Sequence, residues 1–499
     1  MTSRKDLPIF NPIPVILLVL ICLILLFSAC RSGVVDEEDF SAQLGTTLKP
    51  VDTTSRAFKK RLGMNEALRL TYQQNGYHPF WIREKGISGA VEKLQEELEE
   101  LRWDGLVPEQ YHMAAIREQA VVLKKTRHPQ LAAVIAFDTL CTKAYLQASR
   151  DLLLGRLAPR SADSLWYSSN DSAWQAAAVL ASRLGQQHDY PELADYRSRI
   201  RTYALLQQAL REYQPSQETD TGTAGTPLPA RPDSLAQVIR VNLERLRWLP
   251  QEWPEPYILV NIPQMELMLR DHDRDIMRMR VVVGRPSRQT PALSKPVANI
   301  VFNPSWGVPP TILKKDVLPG LAKSGEAYLQ KKNLRAYDRN GNPVDAGSID
   351  ETNYKDFVYR QPPGDENALG VIKFNMPNVW NIYLHDTPEK GIFSQQQRDK
   401  SSGCVRVEFA RKLAEYILSD LNGKQQFTPA TIDSIVSTHK THYEPLKKKL
   451  PVHLVYLTAF EDSSVENIRF IPDIYQRDRQ VARLLEQQLN RILTGTVKR

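Results

Sequence analysis

The sequence predicts a multidomain protein of the α+β class, with a mainly helical region followed by a mainly antiparallel β domain. Its 499 residues are more than one hydrophobic core usually holds, so two or three domains are expected. Apolar residues keep helical spacing as far as about residue 214, as Leu94, Leu98 and Leu101 illustrate. From about residue 256 they alternate with a period of two, which indicates strands.

The N-terminus, residues 1–30, has the pattern of a targeting signal. Arg4 and Lys5 precede a nearly all-aliphatic run, residues 13–27, which has signal-peptide length and is short for a full membrane span. The small residues before Cys30 resemble a bacterial lipobox, in which Cys30 would be the lipidated first residue of a lipoprotein. An uncleaved N-terminal anchor is the alternative. Both predict a membrane-anchored protein of the cell envelope whose bulk faces the periplasm.

Three segments of different composition follow this signal. Residues 31–55 are polar and predict a flexible tether. Residues 56–214 predict a helical domain, in which the clearest helices cover 130–155 and 196–213. Residues 215–232 are rich in Thr, Gly, Pro and Ser and predict a low-complexity loop.

An amphipathic helix predicted within residues 233–250 connects the helical region to the β domain. The β domain is expected to cover residues 251–478, and residues 479–499 predict a C-terminal helix or tail. A segment of about residues 310–367 interrupts the strand pattern, and an insertion of this length is usually functional or disordered. The clearest strand patterns are 257–262, 265–269, 279–283, 298–302 and 452–457.

The composition limits the classes of partner and cofactor. A net charge of +8 permits an anionic partner, but the basic residues are dispersed and no nucleic-acid motif is present. Of the four cysteines, Cys22 and Cys30 lie in the targeting segment and Cys141 lies in an apolar run typical of a core. We therefore expect no disulfide framework, no structural metal site, no cofactor and no nucleic acid.

The fourth cysteine, Cys404, belongs to a motif with the composition of an acyl-transfer site. Tyr-Leu-His-Asp-Thr-Pro ends at Pro388, and Ser-Ser-Gly-Cys-Val-Arg ends at Arg406, so that His385 precedes Cys404 by 19 residues. A thiol becomes a strong nucleophile when a base or a positive neighbour makes it a thiolate. Gly403 allows a sharp turn in which backbone N–H groups could point at an oxyanion. A buried structural cysteine would not explain these neighbours.

These two segments resemble the active-site signature of the YkuD-type L,D-transpeptidases, most closely their long, scaffold-bearing (YcbB-like) subfamily. The resemblance implies a β-rich YkuD-like catalytic domain, a scaffold domain in the helical region, and a lid over the active site formed by residues 310–367. It implies donor and acceptor stem peptides of peptidoglycan as substrates and 3→3 cross-links as products. Carbapenem-type inhibitors are expected to acylate Cys404.

The resemblance also suggests a role for each residue of the motif. Cys404 is expected to be the nucleophile and His385 the general base, oriented by the backbone carbonyl of Asp386. The N–H groups of Gly403 and Cys404 are expected to hold the oxyanion. We also expect a helix over residues 409–421 to stabilise the thiolate through its dipole. The expected substrate-binding residues are Tyr383, Ser402, Arg406 and Trp306.

Several alternatives remain open from the sequence. Arg406 could instead form a structural ion pair with Glu408 or another acid, and Trp306 could be an ordinary packing residue. The same thioester would give an L,D-carboxypeptidase if water were the acceptor, or protein anchoring to the wall if a lysine were. A non-catalytic lipoprotein that only binds the wall is a third possibility, and the presence of both His385 and Cys404 disfavours it.

Overall fold

The computed structural model divides the chain into two compact units, each described here by itself. The first unit draws on Met1–Arg102, Leu106–Leu152 and Ser172–Tyr196, and the second on Trp103–Gly105, Leu153–Asp171 and Arg197–Arg499. The described residues are 36–54, 63–83, 86–167, 180–181, 183, 191–213, 232–272, 274–350, 352–462 and 467–493. None of the helices in these ranges combines the length and apolar character that crossing a membrane requires. The predicted signal with Cys30, and residues 215–231 of the predicted loop, lie outside the described residues.

The first unit is mainly helical, as the sequence predicts. Its core includes Cys141, which is fully buried, so its assignment as a core residue is confirmed. Nearby, the buried Asp138 carboxylate accepts hydrogen bonds from the Tyr72 hydroxyl at 2.6 Å and from the Trp81 N–H at 2.8 Å. The elements are α1 Glu37–Thr47, α2 Met64–Gln74, β1 Ile82–Arg83, β2 Gly86–Ile87, α3 Gly89–Glu100, α4 Met113–Lys125 and α5 Leu131–Leu154.

The predicted tether is wrong over residues 36–54. Phe40 and Leu44 lie one turn apart on α1 and are both buried, so a polar segment with two well-placed apolar residues packs as a helix. The chain after α1 is also held, because Arg69 donates to the carbonyls of Lys49 and Pro50 at 2.6 and 2.8 Å.

The second unit begins earlier than the predicted boundary at residue 214. The helix Arg201–Glu212 packs Tyr203 and Leu206 into the core of the β domain, which explains why it joins that unit. Among its buried ion pairs, Arg247 bonds to Glu244 at 2.7 Å. The helices of the second unit outside the insertion are α6 Pro159–Ala162, α7 Arg201–Glu212, α8 Pro232–Arg247, α12 Ala410–Glu415, α13 Pro429–Ser437 and α14 Asp478–Leu493.

The main sheet of this unit has the strand order β12-β13-β15-β6-β5-β4-β16-β7-β3, and β14 pairs with β6. Strand β12 also pairs with β7, which closes the path of strands on itself. The pairs β13–β15, β14–β6, β16–β4 and β3–β7 are parallel and the rest antiparallel, so the mainly antiparallel prediction is confirmed. The strands are β3 Trp166–Tyr167, β4 Tyr257–Asn261, β5 Glu266–Asp271, β6 Arg274–Gly284, β7 Ala292–Phe302, β12 Ile372–Asn375, β13 Leu384–His385, β14 Asp399–Ser401, β15 Val405–Val407 and β16 His442–Val455. A separate hairpin joins β17 Ala459–Asp462 to β18 Asn467–Phe470.

The insertion between β7 and β12 folds as a small subdomain. Four strands in the order β10-β9-β11-β8 form its sheet, and helices pack on a core of its own. The buried residues of that core are Val317, Leu321, Leu329, Leu334, Ala336 and Tyr359. Its elements are β8 Trp306–Gly307, α9 Pro310–Ile312, α10 Leu318–Ser324, α11 Glu326–Lys331, β9 Arg335–Tyr337, β10 Pro343–Val344 and β11 Val358–Gln361.

Candidate active site

Strand pairing places three cationic or basic side chains in a row across the main sheet. His385 of β13 lies directly opposite Lys373 of β12 on one side and Arg406 of β15 on the other. Directly paired residues project from the same face of a sheet, so these three side chains are neighbours. The strand β13 covers only Leu384–His385, and Asn381 just before it has a positive φ of 53°, which is not a strand conformation.

A tight turn between β14 and β15 presents Cys404. Gly403 has φ of +121°, a conformation that favours glycine. Ser401 fixes the turn: its hydroxyl donates to the Cys404 carbonyl at 2.6 Å and accepts from the Gly403 N–H at 3.1 Å. Thr290 donates to the Gly403 carbonyl at 2.8 Å. The Gly403 amide is therefore already occupied in this conformation, contrary to the expectation that it awaits an oxyanion.

The expected helix dipole does not reach the thiol. Residues 405–407 form β15, and the following helix, α12, begins only at Ala410 before continuing as a π-helix over Tyr416–Leu421. Because the effect of a helix dipole falls off within about one turn, this helix cannot stabilise a thiolate at Cys404. Positive side chains must supply that stabilisation.

The thiol of Cys404 is half-buried and held by the segment that precedes His385. Its Sγ lies 3.6 Å from the Asn381 carbonyl, and both the phenol and the backbone N–H of Tyr383 hydrogen-bond to it. The Trp306 indole hydrogen-bonds in turn to the Tyr383 phenol. Across the described part of the chain, no hydrogen bond joins Sγ to His385. Burial raises the pKa of the Cys404 thiol. The hydrogen bonds from Tyr383 lower it, and so do the nearby positive charges of Lys373 and Arg406.

His385 is almost completely buried, at 5 % exposure. Its Nδ1 lies 2.5 Å from the backbone carbonyl of Asp386, the oxygen that the sequence singles out. Burial, and secondly the charge of Arg406, lower the pKa of His385 to about 3. The ring is therefore neutral near neutral pH, and an Nδ1–H that donates to Asp386 leaves Nε2 as the proton acceptor.

A close backbone approach fixes the Asp386 segment. A Cβ on Gly370, which has φ of +59°, would lie 2.6 Å from Asp386 Oδ2 and from the Thr387 nitrogen. The Asp386 carboxylate also accepts from the Val371 N–H at 3.2 Å and pairs with Lys390. The carbonyl that contacts His385 is thus held rigidly.

Arg406 has an acid partner, although not the one named first from the sequence. Its guanidinium lies 2.9 Å from Glu389, whereas Glu408 pairs with Arg280. The side chain of Arg406 still lines the cleft above Cys404, so a substrate carboxylate would have to compete with Glu389.

The cleft over Cys404 has a volume of about 780 Å³ and is lined by both the main sheet and the insertion. Trp306, Tyr383 and Ser402 all line it. Arg288 ties the two walls together, because it forms a bidentate pair with Asp316 of the insertion at 2.5 and 2.8 Å and donates to Ser402 at 3.0 Å. The sequence did not single out Arg288 or Asp316, since nothing local marks a contact between segments so distant in the chain.

Potential metal ligands cluster elsewhere. Among the described residues, Glu255, Asp271 and His272 offer ligand atoms within 4.8 Å of one another, and none of the three lines the cleft. Exposed groups of this kind are common on protein surfaces, so the cluster by itself identifies no metal site.

Comparison with known proteins identifies two domains in the chain. The model of the YkuD L,D-transpeptidase catalytic domain matches residues 255–438, and the scaffold-domain model matches residues 66–210. A Haemophilus influenzae protein with a provisional L,D-transpeptidase name is 39% identical over 256 residues, which are 50% of this chain and 50% of that protein. The chain thus spans about half the length of the curated relative that it matches.

Two solved structures also match, at low similarity. The Ldtfm–avibactam carbamoyl enzyme is 12% identical, with a TM-score of 0.21, over 63% of this chain and 97% of its own. A cysteine-to-serine mutant of Enterococcus faecium L,D-transpeptidase is 11% identical, with a TM-score of 0.20, over 62% and 98%. The assignment therefore rests on the two domain models, by which the chain carries a YkuD L,D-transpeptidase catalytic domain and a scaffold domain.

Proposed function

We propose that the chain is a peptidoglycan L,D-transpeptidase that forms 3→3 cross-links through a thioester on Cys404. The observation that carries the proposal is the geometry around the thiol. Cys404, hydrogen-bonded to Tyr383, lines the cleft together with a neutral His385 whose Nδ1 is fixed by Asp386. A thiol with a neutral, oriented imidazole nearby is the arrangement that acyl transfer to cysteine needs.

Acylation begins when the thiol leaves the Asn381 carbonyl and gives its proton to His385 Nε2. The sulfur then forms a bond to the amide carbonyl carbon of the donor stem peptide. As the tetrahedral intermediate collapses, the C–N bond breaks and His385 returns the proton to the departing D-alanine amine. The product is a thioester on Cys404, and the imidazole is neutral again.

Deacylation repeats these steps with the acceptor. The side-chain amine of a second stem peptide attacks the thioester carbonyl and gives a proton to His385. The C–S bond breaks, the thiolate of Cys404 takes that proton, and the new amide is the cross-link. We assign the oxyanion to the Cys404 N–H; the Gly403 N–H joins it only by giving up its bond to Ser401.

The alternatives differ in the acceptor and are resolved by the products. Water in place of the amine makes the chain a carboxypeptidase, and a protein lysine makes it an anchoring enzyme. Membrane attachment through a lipidated Cys30 or an uncleaved anchor, and a place in the cell envelope, remain proposals from the N-terminal sequence. Mass spectrometry of the mature N-terminus distinguishes these two anchors.

Muropeptide analysis of isolated cell wall treated with the purified chain tests the proposal. Wild type should give 3→3 dimers and Cys404→Ala none, because no other nucleophile replaces the thiolate. Cys141→Ala is the matched control, since Cys141 is fully buried and burial raises its pKa strongly; it should keep the activity.

A carbapenem adduct supplies the second readout of this prediction. It should map to the Cys404 peptide in wild type and in Cys141→Ala, and be missing in Cys404→Ala. Dimers or an adduct from Cys404→Ala would contradict the proposed nucleophile. Tripeptide without dimers from wild type would favour the carboxypeptidase, and neither product would favour a wall-binding protein.

A further inference from the structure

Lys373 lies next to the candidate active site, on the strand beside His385. It lies opposite His385 in the β12–β13 pairing, and its Nζ is 4.1 Å from the centroid of the Tyr383 ring. Tyr383 in turn hydrogen-bonds to Cys404 Sγ. Lys373 is only partly exposed and is not among the residues that line the cleft. Its charge therefore acts on the site from the same face of the sheet as His385, from a position outside the lining of the cleft.

No carboxylate neutralises this ammonium in the described part of the chain. Two arginines of the site do have acid partners, since Arg406 pairs with Glu389 and Arg288 pairs with Asp316. A partly buried ammonium without a counter-ion is costly, and burial lowers the pKa of Lys373 accordingly. The group that opposes this lowering is Cys404, through its negative charge as a thiolate.

The remaining charged and titratable groups near Sγ do not supply an equivalent charge. Tyr383 donates a hydrogen bond but is neutral, and the pKa of His385 is lowered, so that ring is neutral as well. Arg406 acts on the thiol, but its charge is shared with Glu389. The dipole of α12 is too distant, as described above. Lys373 is thus the one cation without an acid partner among the described groups that act on Cys404.

We propose that Lys373 is a positioning residue that stabilises the thiolate of Cys404 through the Tyr383 ring and its hydrogen bond. The Tyr383 side chain contacts both charges, since its ring lies against the ammonium and its hydroxyl hydrogen-bonds to the sulfur. When the thiol gives up its proton, the charge that develops on sulfur meets a fixed positive charge. The proposal rests on Cys404 as the nucleophile, but it concerns thiol ionisation and not the choice of acceptor.

The test is the pH dependence of Cys404 alkylation by iodoacetamide in the full chain, followed on the Cys404 peptide by mass spectrometry. An opposite charge close to a titrating group typically shifts its pKa by about 1–3 units. In Lys373→Met the midpoint should move up by at least about one pH unit, so the rate near neutral pH should fall about tenfold. Lys373→Arg, which keeps the charge, should restore most of the wild-type midpoint.

Matched controls separate charge from packing. Lys400→Met removes an exposed ammonium just before the Cys404 turn, which bonds to Gln395, and should leave the midpoint in place. An unmoved midpoint in folded Lys373→Met would overturn the proposal. If Lys373→Met does not fold, Lys373→Arg is the test. A midpoint raised by one unit or more in Lys373→Arg would show that the shape of the side chain matters and not its charge, and would also overturn the proposal. Because alkylation needs no stem peptide, failure here is distinct from failure to form cross-links.

Discussion

At the scale of single residues, the site departs from a triad based on carboxylates. His385 is oriented by a backbone carbonyl, and that carbonyl is fixed by the approach of Gly370 to Asp386. The motif predicts the identities of Cys404 and His385 because composition and spacing carry them. It does not predict that the thiol bonds to Asn381 and Tyr383, because those contacts depend on how the loop after Asn378 turns.

The buried His385 predicts a dependence of stability on pH. The pKa of His385 is about 3 in the folded state and about 6.5 in the unfolded state. Its contribution to the free energy of unfolding is therefore complete above pH 6.5 and is lost as the pH falls toward 3. Between pH 7 and pH 5 the second unit should lose about 2 kcal/mol through this residue. In His385→Gln that part of the loss should vanish.

Denaturant unfolding at pH 7 and pH 5 measures this difference, and His128→Gln, which removes an exposed histidine, is the control. An equal loss of stability in wild type and His385→Gln would show that protonation of His385 does not cause the loss. His385→Gln should also lower the rate of acyl transfer by about 10²–10⁴, because the base is gone.

At the scale of elements, strands with one apolar face are predicted well and strands with polar stretches are not. The first strand of the β domain, which is apolar and buried on both faces, is likewise expected at 257–262 and observed at Tyr257–Asn261. Strand β16 is expected at 452–457 but extends over His442–Val455, because its first half is largely exposed and lysine-rich and shows no apolar alternation. The fold of the insertion could not be predicted, since its strands are short and pair with distant segments.

The insertion is coupled to the site by two contacts. Trp306 belongs to β8, which pairs with β11 of the insertion, and its indole hydrogen-bonds to Tyr383. The second contact is the Arg288–Asp316 pair with Ser402. Deletion of residues 339–345 would remove β10 and so disturb the fold of the insertion. A point substitution in the second contact tests the lid role better.

Asp316→Asn should loosen the wall of the cleft that the insertion forms. A well-oriented bidentate pair at a partly exposed site contributes about 1 kcal/mol, so access of water to the thioester should rise roughly fivefold. The measurement is the ratio of tripeptide to 3→3 dimer released from isolated wall. Asp350→Asn removes a carboxylate of the same insertion that only caps a local turn, and should leave the ratio unchanged. An equal ratio of tripeptide to dimer in Asp316→Asn and Asp350→Asn would mean that the Arg288–Asp316 pair does not limit the access of water to the thioester.

At the scale of the whole molecule, each of the two units has its own buried titratable groups. In the second unit these groups include His385 and also His453, whose pKa burial lowers to about 4; in the first the group is Asp138, whose pKa is raised to about 6 by burial, against the hydrogen bonds from Tyr72 and Trp81. The composition does not reveal these groups, because Asp138 lies in an otherwise apolar helix and looks like an exposed residue of α5. Burial, which the fold alone decides, determines these pKa shifts.

Asp138 and His385 predict opposite responses to acid. The pKa of Asp138 is higher in the folded state than the unfolded value of about 3.9. Its contribution to the free energy of unfolding is therefore complete below pH 3.9 and is lost as the pH rises through 6. From pH 7 to pH 5 the first unit should therefore gain on the order of 1 kcal/mol from Asp138, while the second loses stability through His385. Hydrogen exchange of peptides from α5 and from β12–β13, corrected for intrinsic rates, reports the two units separately.

Asp138→Asn should remove the gain in the first unit and leave the loss in the second. The variant itself should be less stable at both pH values, because an amide oxygen cannot accept all the hydrogen bonds that the carboxylate accepts from Tyr72, Phe80 and Trp81. The difference between pH 5 and pH 7, and not the absolute stability, is therefore the quantity to compare. A gain on acidification that survives in Asp138→Asn would assign it to another group, and parallel changes in both units would contradict their separate control by Asp138 and His385.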